Sequence, residues 1–185
     1  MKKTYEDSMI VKEWITFALI KLMNEYKFEA ITITQIALTA GVPRITFYRN
    51  YKTKMDILLQ YNLYLSERFS KIIRDAIENG NCMYWEILFE FIRNNQEYFH
   101  AIISAEKGYL ILMTMNNNIL NIAPQMDPYY LHFFTGALYN VIVYWISNNF
   151  QPPSGEMQKK FKKLITDKNY ESVICCYIDF FQKLL

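Results

Sequence analysis

Only five glycines and five prolines interrupt the 185 residues, and no stretch of useful length alternates apolar with polar side chains. Strand-rich folds need frequent turn residues and a period of two, so this scarcity predicts an all-α protein. Cysteine is equally sparse. Cys82, Cys175 and Cys176 are odd in number and show no CxxC spacing, which argues against a disulfide framework. Without a signal peptide at the start, a reducing, cytoplasmic setting is expected. Two histidines and no cluster of His, Cys and acids leave no metal site or cofactor to expect; His100 and His132 read as structural or surface residues. No Gly-rich phosphate loop and no recognisable nucleophile setting occurs, so nothing points to an enzyme. The most apolar long run, Leu131 to Ile146, is interrupted by Gly136 and Asn140 and is shorter than a bilayer span. It reads as a buried helix, and no membrane partner is expected.

What is present is unevenly placed. Residues 1–59 carry nine Lys/Arg against six Asp/Glu, a balance of +3, while the remainder carries 11 against 12, a balance of −1. The basic end contains the densest signals. Thr32 followed by Gln35 fits a capping box at a helix start. Ile33, Ile36, Ala37 and Ala40 then recur at helical spacing, and Gly41 stands where that helix must stop. Val42 can plug the corner, and Pro43 is acceptable at the first position of a second helix. Phe47 and Tyr51 would anchor that helix inward, leaving Arg44, Ile45, Thr46, Tyr48, Arg49 and Asn50 largely outward. Thr53 with Asp56 gives another capping box, and Lys54 in the first turn of the helix it starts would form a phosphate site with the free amides. Two short helices around a glycine turn are a helix-turn-helix, whose second helix enters the major groove of DNA.

The pattern Thr32, Ile33, Ile36, Ala37, Ala40, Gly41, Val42, then Thr46, Phe47, Tyr48, Tyr51 and Lys54, resembles the DNA-binding domain of TetR-family transcriptional regulators. The likeness covers residues 10–59. It departs at Pro43, often serine in the family, and at Ile45, often a small residue. Ile45 has two readings: contact with a thymine methyl, or packing on the first helix. The resemblance implies that Tyr48 and Lys54 contact phosphates while Arg44, Thr46 and Arg49 approach base edges, with Thr34 reaching in from the preceding helix. Ile45 and Asn50 complete the candidate DNA-binding set.

The expected organisation is a three-helix DNA-binding domain over residues 1–56 and a helical effector-binding and dimerisation domain over residues 57–185. A first helix is expected from Glu6 to Tyr26, with Val11, Ile15, Ala18, Leu19 and Leu22 facing inward. A long helix from Thr53 to Glu78 connects the two parts. Further helices are expected over Tyr84–Asn94, Gln96–Ser104, Gly108–Ile122, Asp127–Asn149 and Tyr170–Leu184, with Pro152-Pro153-Ser154 breaking the chain and capping a short helix through Leu164. In the Asp127–Asn149 segment, Leu131, Phe134, Leu138, Val141 and Trp145 form a 3-4-3-4 stripe with Tyr139 and Tyr144 off it, more apolar surface than one monomer covers, read together with the last helix as a homodimer interface.

Aromatic residues crowd the second part. The plain reading is ordinary core; the functional reading is that some line an effector cavity within residues 60–145. The resemblance implies a ligand-binding domain here without transferring pocket residues, and Trp85, Phe89, Phe99, Tyr130 and Phe134 are the candidates. The run Lys159, Lys160, Lys162, Lys163 reads as a solvated helix face, with an anionic or membrane-surface contact as the alternative. The expected function is a ligand-responsive regulator, a repressor, binding palindromic double-stranded operator DNA as a dimer and answering to a small-molecule effector. The competing class is a coregulator of the same fold that works through protein partners without DNA.

Overall fold

Nine α-helices and one 3-10 turn make up residues 2–80, 83–122 and 126–166, the part described by the computed structural model, and no strand occurs among them. The helices are α1 (Lys2–Met23), α2 (Ile33–Thr39), α3 (Arg44–Asn50), α4 (Lys54–Glu78), α5 (Tyr84–Asn94), α6 (Gln96–Ser104), α7 (Tyr109–Ile122), α8 (Pro128–Ser147) and α9 (Ser154–Thr166). The protein is all-α, as its composition implies. The expected helix over 170–184 lies outside the described residues.

The head is built from α1, α2, α3 and the start of α4. Ile15 and Leu19 from α1 meet Ile36, Phe47 and Ile57, all fully buried. Of the inner face read for the first helix, Ile15, Ala18, Leu19 and Leu22 are buried and Val11 packs partly against them. Helix α1 stops at Met23 rather than Tyr26 because Phe28 must reach the same core. The chain therefore turns over residues 24–27, with the Glu25 and Tyr26 amides both donating to the Leu22 carbonyl.

Helix α4 has 25 residues, a rod of roughly 37 Å, and runs from the head into the body. There it lies against α5 and α7, while α5 packs on α9, and α8 packs on α6 and α7. Asn62, buried in the middle of α4, donates to the Leu110 carbonyl at 3.1 Å and to the Thr114 hydroxyl, fastening α4 to α7. Tyr98 of α6 donates to the Leu58 carbonyl at 3.3 Å.

Helix α8 corrects one expectation. Leu131, Leu138 and Trp145 are buried in the protomer's own body, and Phe134 and Val141 pack partly against that core. The stripe read as a dimer surface is therefore core, worth about 1.5–3 kcal/mol for each buried side chain. The uncovered side of α8 carries Tyr129, Tyr130, Phe133, Ala137 and Tyr144 instead. Among the described residues no helix is long and apolar enough to cross a membrane.

Candidate nucleic-acid interface

Both capping boxes form. The Gln35 amide donates to the Thr32 hydroxyl at 3.2 Å, and the Thr32 amide donates to Oε1 of Gln35 at 2.8 Å. At the other end of α2 the Gly41 amide donates to the Leu38 carbonyl and the Val42 amide to that of Ala37, with Gly41 at φ +66°. This paired closure needs a left-handed residue, which glycine supplies without a Cβ penalty. Pro43 is the N-cap of α3 rather than its first residue, a place where its missing N–H again costs nothing.

Phe47 and Tyr51 are buried, so α3 is pinned by one face. Arg44, Ile45, Tyr48 and Arg49 are exposed on the other, and Thr34 is exposed on α2. Thr46 is half-buried. Asn50 turns back, its Nδ2 donating to the Thr46 carbonyl at 2.8 Å. Ile45 is 61 % exposed, so of its two readings packing on the first helix is excluded. From Ala30 to Met55 the chain holds no acid, and the outer face of α3 presents two guanidinium groups, a phenol and a branched apolar side chain.

Lys54 is engaged within the head. Its ammonium donates to the Phe28 carbonyl, to Glu29 O at 2.9 Å and to Ile31 O at 2.8 Å, and lies 4.8 Å from the centre of the Phe28 ring. An ammonium has three N–H groups, and all are engaged on the turn that precedes α2. Desolvation holds the Lys54 pKa below its ordinary value. The start of α4 is likewise already supplied with an anion. Asp56 Oδ2 accepts from the Lys52 and Thr53 amides at 3.0 and 2.9 Å, and those bonds keep the Asp56 carboxyl below its usual pKa. A phosphate at this helix start, as the sequence leads one to expect, would have to share these groups with the bonds the head already makes. Lys54's partners lie 23 to 26 residues away, which local spacing cannot reveal. Lys52, exposed between α3 and α4, is the cation beside this face that spacing left unassigned.

The five effector candidates are not brought to one place. Trp85 lies tilted at 4.7 Å from Phe161 and 6.1 Å from Phe134, and Phe89 meets Phe161 at 5.7 Å and Trp145 at 5.4 Å. These rings fill the space between α5, α8 and α9. Phe99 is buried beside Tyr98, and Tyr130 is exposed on α8. A cleft of about 430 Å³ does open on the head, between α1 and α2, lined by Trp14, Phe17, Ala18, Lys21, Thr39 and Ala40.

Comparison with known proteins addresses the body. Residues 83–167 match a TetR-family model described as the C-terminal region of transcriptional regulators. No curated protein matches the chain. The matched stretch spans α5 to α9 and begins after the connecting helix α4. Over residues 83–167 the chain is similar to the C-terminal region of TetR-family transcriptional regulators.

Proposed function

We propose that the protein binds double-stranded operator DNA as a homodimer, each head laying α3 in the major groove, and that it acts as a repressor relieved by a small molecule. The carrying observation is the outer face of α3: Arg44, Ile45, Tyr48 and Arg49 exposed on a helix whose opposite side is locked by Phe47 and Tyr51. Arginine reads guanine bidentately, and an apolar side chain can meet the thymine methyl, so this set suits base-edge contact. Tyr48 and Lys52 supply phosphate contacts, which hold register without reading sequence. Lys54 supports the head from within.

A single seven-residue helix spans few base pairs, so two heads on a palindrome are needed for useful affinity. The exposed aromatic side of α8 is the surface offered for that pairing. An effector would enter by parting the rings between Trp85, Phe134 and Phe161, since these are in contact. The test is fluorescence anisotropy with the DNA upstream of the chain's own gene, comparing the unaltered protein with an Arg44→Ala/Arg49→Ala double variant. Binding that is salt-dependent and lost in the variant supports the reading. Equal binding by both, or none by the unaltered protein to its own upstream DNA or to a randomised operator library, overturns it.

A further inference from the structure

The turn over residues 28–31 feeds α2, and two lysines grip it from opposite parts of the molecule. Lys54 belongs to the head. Lys107 belongs to the body, at the corner between α6 and α7, and its ammonium pairs with Oε1 of Glu29 at 2.9 Å while lying 5.3 Å from the Phe28 ring centre. Phe28 thus sits between two cations with its ring buried. The Lys107 hydrogen bond is the leading cause that holds the Glu29 carboxyl below its ordinary pKa.

The corner that carries Lys107 is closed by paired hydrogen bonds. The Glu106 amide donates to the Ile103 carbonyl and the Lys107 amide to that of Ile102, closing α6 as Gly41 closes α2. Here, however, the left-handed position is held by Glu106 at φ +59° rather than by glycine, a strained choice that surrounding structure must sustain. The glycine comes two residues later for another reason. A Cβ on Gly108 would stand 2.6 Å from Ile103 Cδ1 and 2.9 Å from the Tyr139 hydroxyl, so the corner is pressed against α8. Contacts therefore run without a gap from Tyr139 on α8, through Gly108 and Lys107, to Glu29 and the start of α2.

We propose that Lys107 is a positioning residue for DNA reading: through Glu29 and Phe28 it fixes the turn before α2, so that the α6–α7 corner and α8 behind it set the orientation of the helix-turn-helix. This rests on the DNA-binding reading above, but its structural half can be measured without DNA. The ion pair is largely exposed on the Glu29 side, so its worth lies in orientation more than in stability.

The experiment uses the full chain with Lys107→Glu, Glu29→Lys, the double exchange of the two, and the conservative Lys107→Arg. Amide hydrogen exchange over residues 28–35 is read first, then operator affinity. Each single reversal is expected to speed exchange across 28–35 and to weaken operator binding about fivefold, a typical coupling. The double exchange and Lys107→Arg should restore both, with circular dichroism and molecular size unaltered throughout. Unchanged exchange in the single variants overturns the proposal, as does a double exchange no better than either single change. Faster exchange without loss of affinity also overturns it, because the turn would then be free of any role in reading. If the unaltered protein binds no DNA, the functional reading fails by that result alone. The exchange pattern then still decides whether Lys107 holds the turn.

Discussion

Arg44 and Tyr48 hold each other on the outer face of α3: Nη2 of Arg44 donates to the Tyr48 hydroxyl at 3.1 Å, and the guanidinium carbon lies 5.5 Å from the ring centre. The pair is one helical turn apart, so the guanidinium is aimed before any DNA arrives. Pre-aiming lowers the entropy lost on contact. Arg44→Ala is expected to cost about 1–3 kcal/mol at the cognate base pair and to relax preference there. Tyr48→Phe removes the hydroxyl proposed to contact a phosphate, so its main effect should be to lower affinity alike on all sequences. A binding-site selection with each variant checks this; relaxed preference in Tyr48→Phe and none in Arg44→Ala would reverse the two roles.

Lys54 should behave as a structural residue. Replacing it by Met keeps much of the stem but removes the ammonium from the carbonyls of Phe28, Glu29 and Ile31, of which Phe28 still accepts from the Ile31 amide. The loss expected is about 1–3 kcal/mol in denaturant unfolding. The salt slope of operator binding should stay the same, since no phosphate contact is removed. A stable variant whose slope falls by about one unit would return Lys54 to the phosphate backbone.

These residues also show what spacing can and cannot tell. Thr32 with Gln35 and Thr53 with Asp56 were readable because each box closes within three residues. The inward turn of Lys54 was not, because its partners are more than twenty residues away. Glu106 and Asn149 take the left-handed position without being glycine, yet the helices they close were expected to end at Ser104 and Asn149, within two residues of where α6 and α8 stop. Helix α8 is apolar on both sides, and periodicity alone cannot say which side meets its own core. Leu138 and Phe133 differ only in where α5, α6 and α7 lie.

Stability should fall in acid. The carboxyls of Glu29, Asp56 and Glu86 all have pKa values lowered from 4.5, 3.8 and 4.5 by hydrogen bonds from Lys107, Thr53 and Lys162 respectively. The unfolded chain then binds more protons than the folded one, so stability rises with pH through that window. The contribution is complete above about pH 5 and is lost as pH drops through and below 4.5. Thermal melts from pH 7 to pH 3 check it. Asp56→Asn should flatten part of the slope at a cost of about 1 kcal/mol at pH 7.

Phe89 separates core from cavity. It is fully buried, edge-on to Trp145 at 5.4 Å and to Phe161 at 5.7 Å. As core, Phe89→Ala should cost about 3–5 kcal/mol, a large part of a typical domain's stability. Phe89→Leu should cost distinctly less. A residue lining an open effector cavity would tolerate truncation, so a loss below about 1 kcal/mol for Phe89→Ala would mark this region as hollow.

The proposed dimer would use the uncovered side of α8. Tyr130, Phe133, Ala137 and Tyr144 follow at spacings of 3, 4 and 7 residues, the repeat by which one helix faces another. Phe133 and Tyr144 are 71 % and 73 % exposed, and monomers rarely leave so continuous an aromatic face in water. Pairing it with its own copy buries that face and brings two heads onto one duplex. The two sides of α8 then predict opposite outcomes for the same chemical change. Phe133→Glu should leave the fold and melting temperature nearly intact while giving monomers with much weaker operator binding. Leu138→Glu places a charge where the side chain is 6 % exposed and should unfold the body itself, because a buried unpaired charge is too costly to keep. Sedimentation with circular dichroism tells the cases apart. A folded dimer in Phe133→Glu would move the interface off this face of α8, and a monomeric unaltered protein at micromolar concentration would remove the two-headed mechanism altogether.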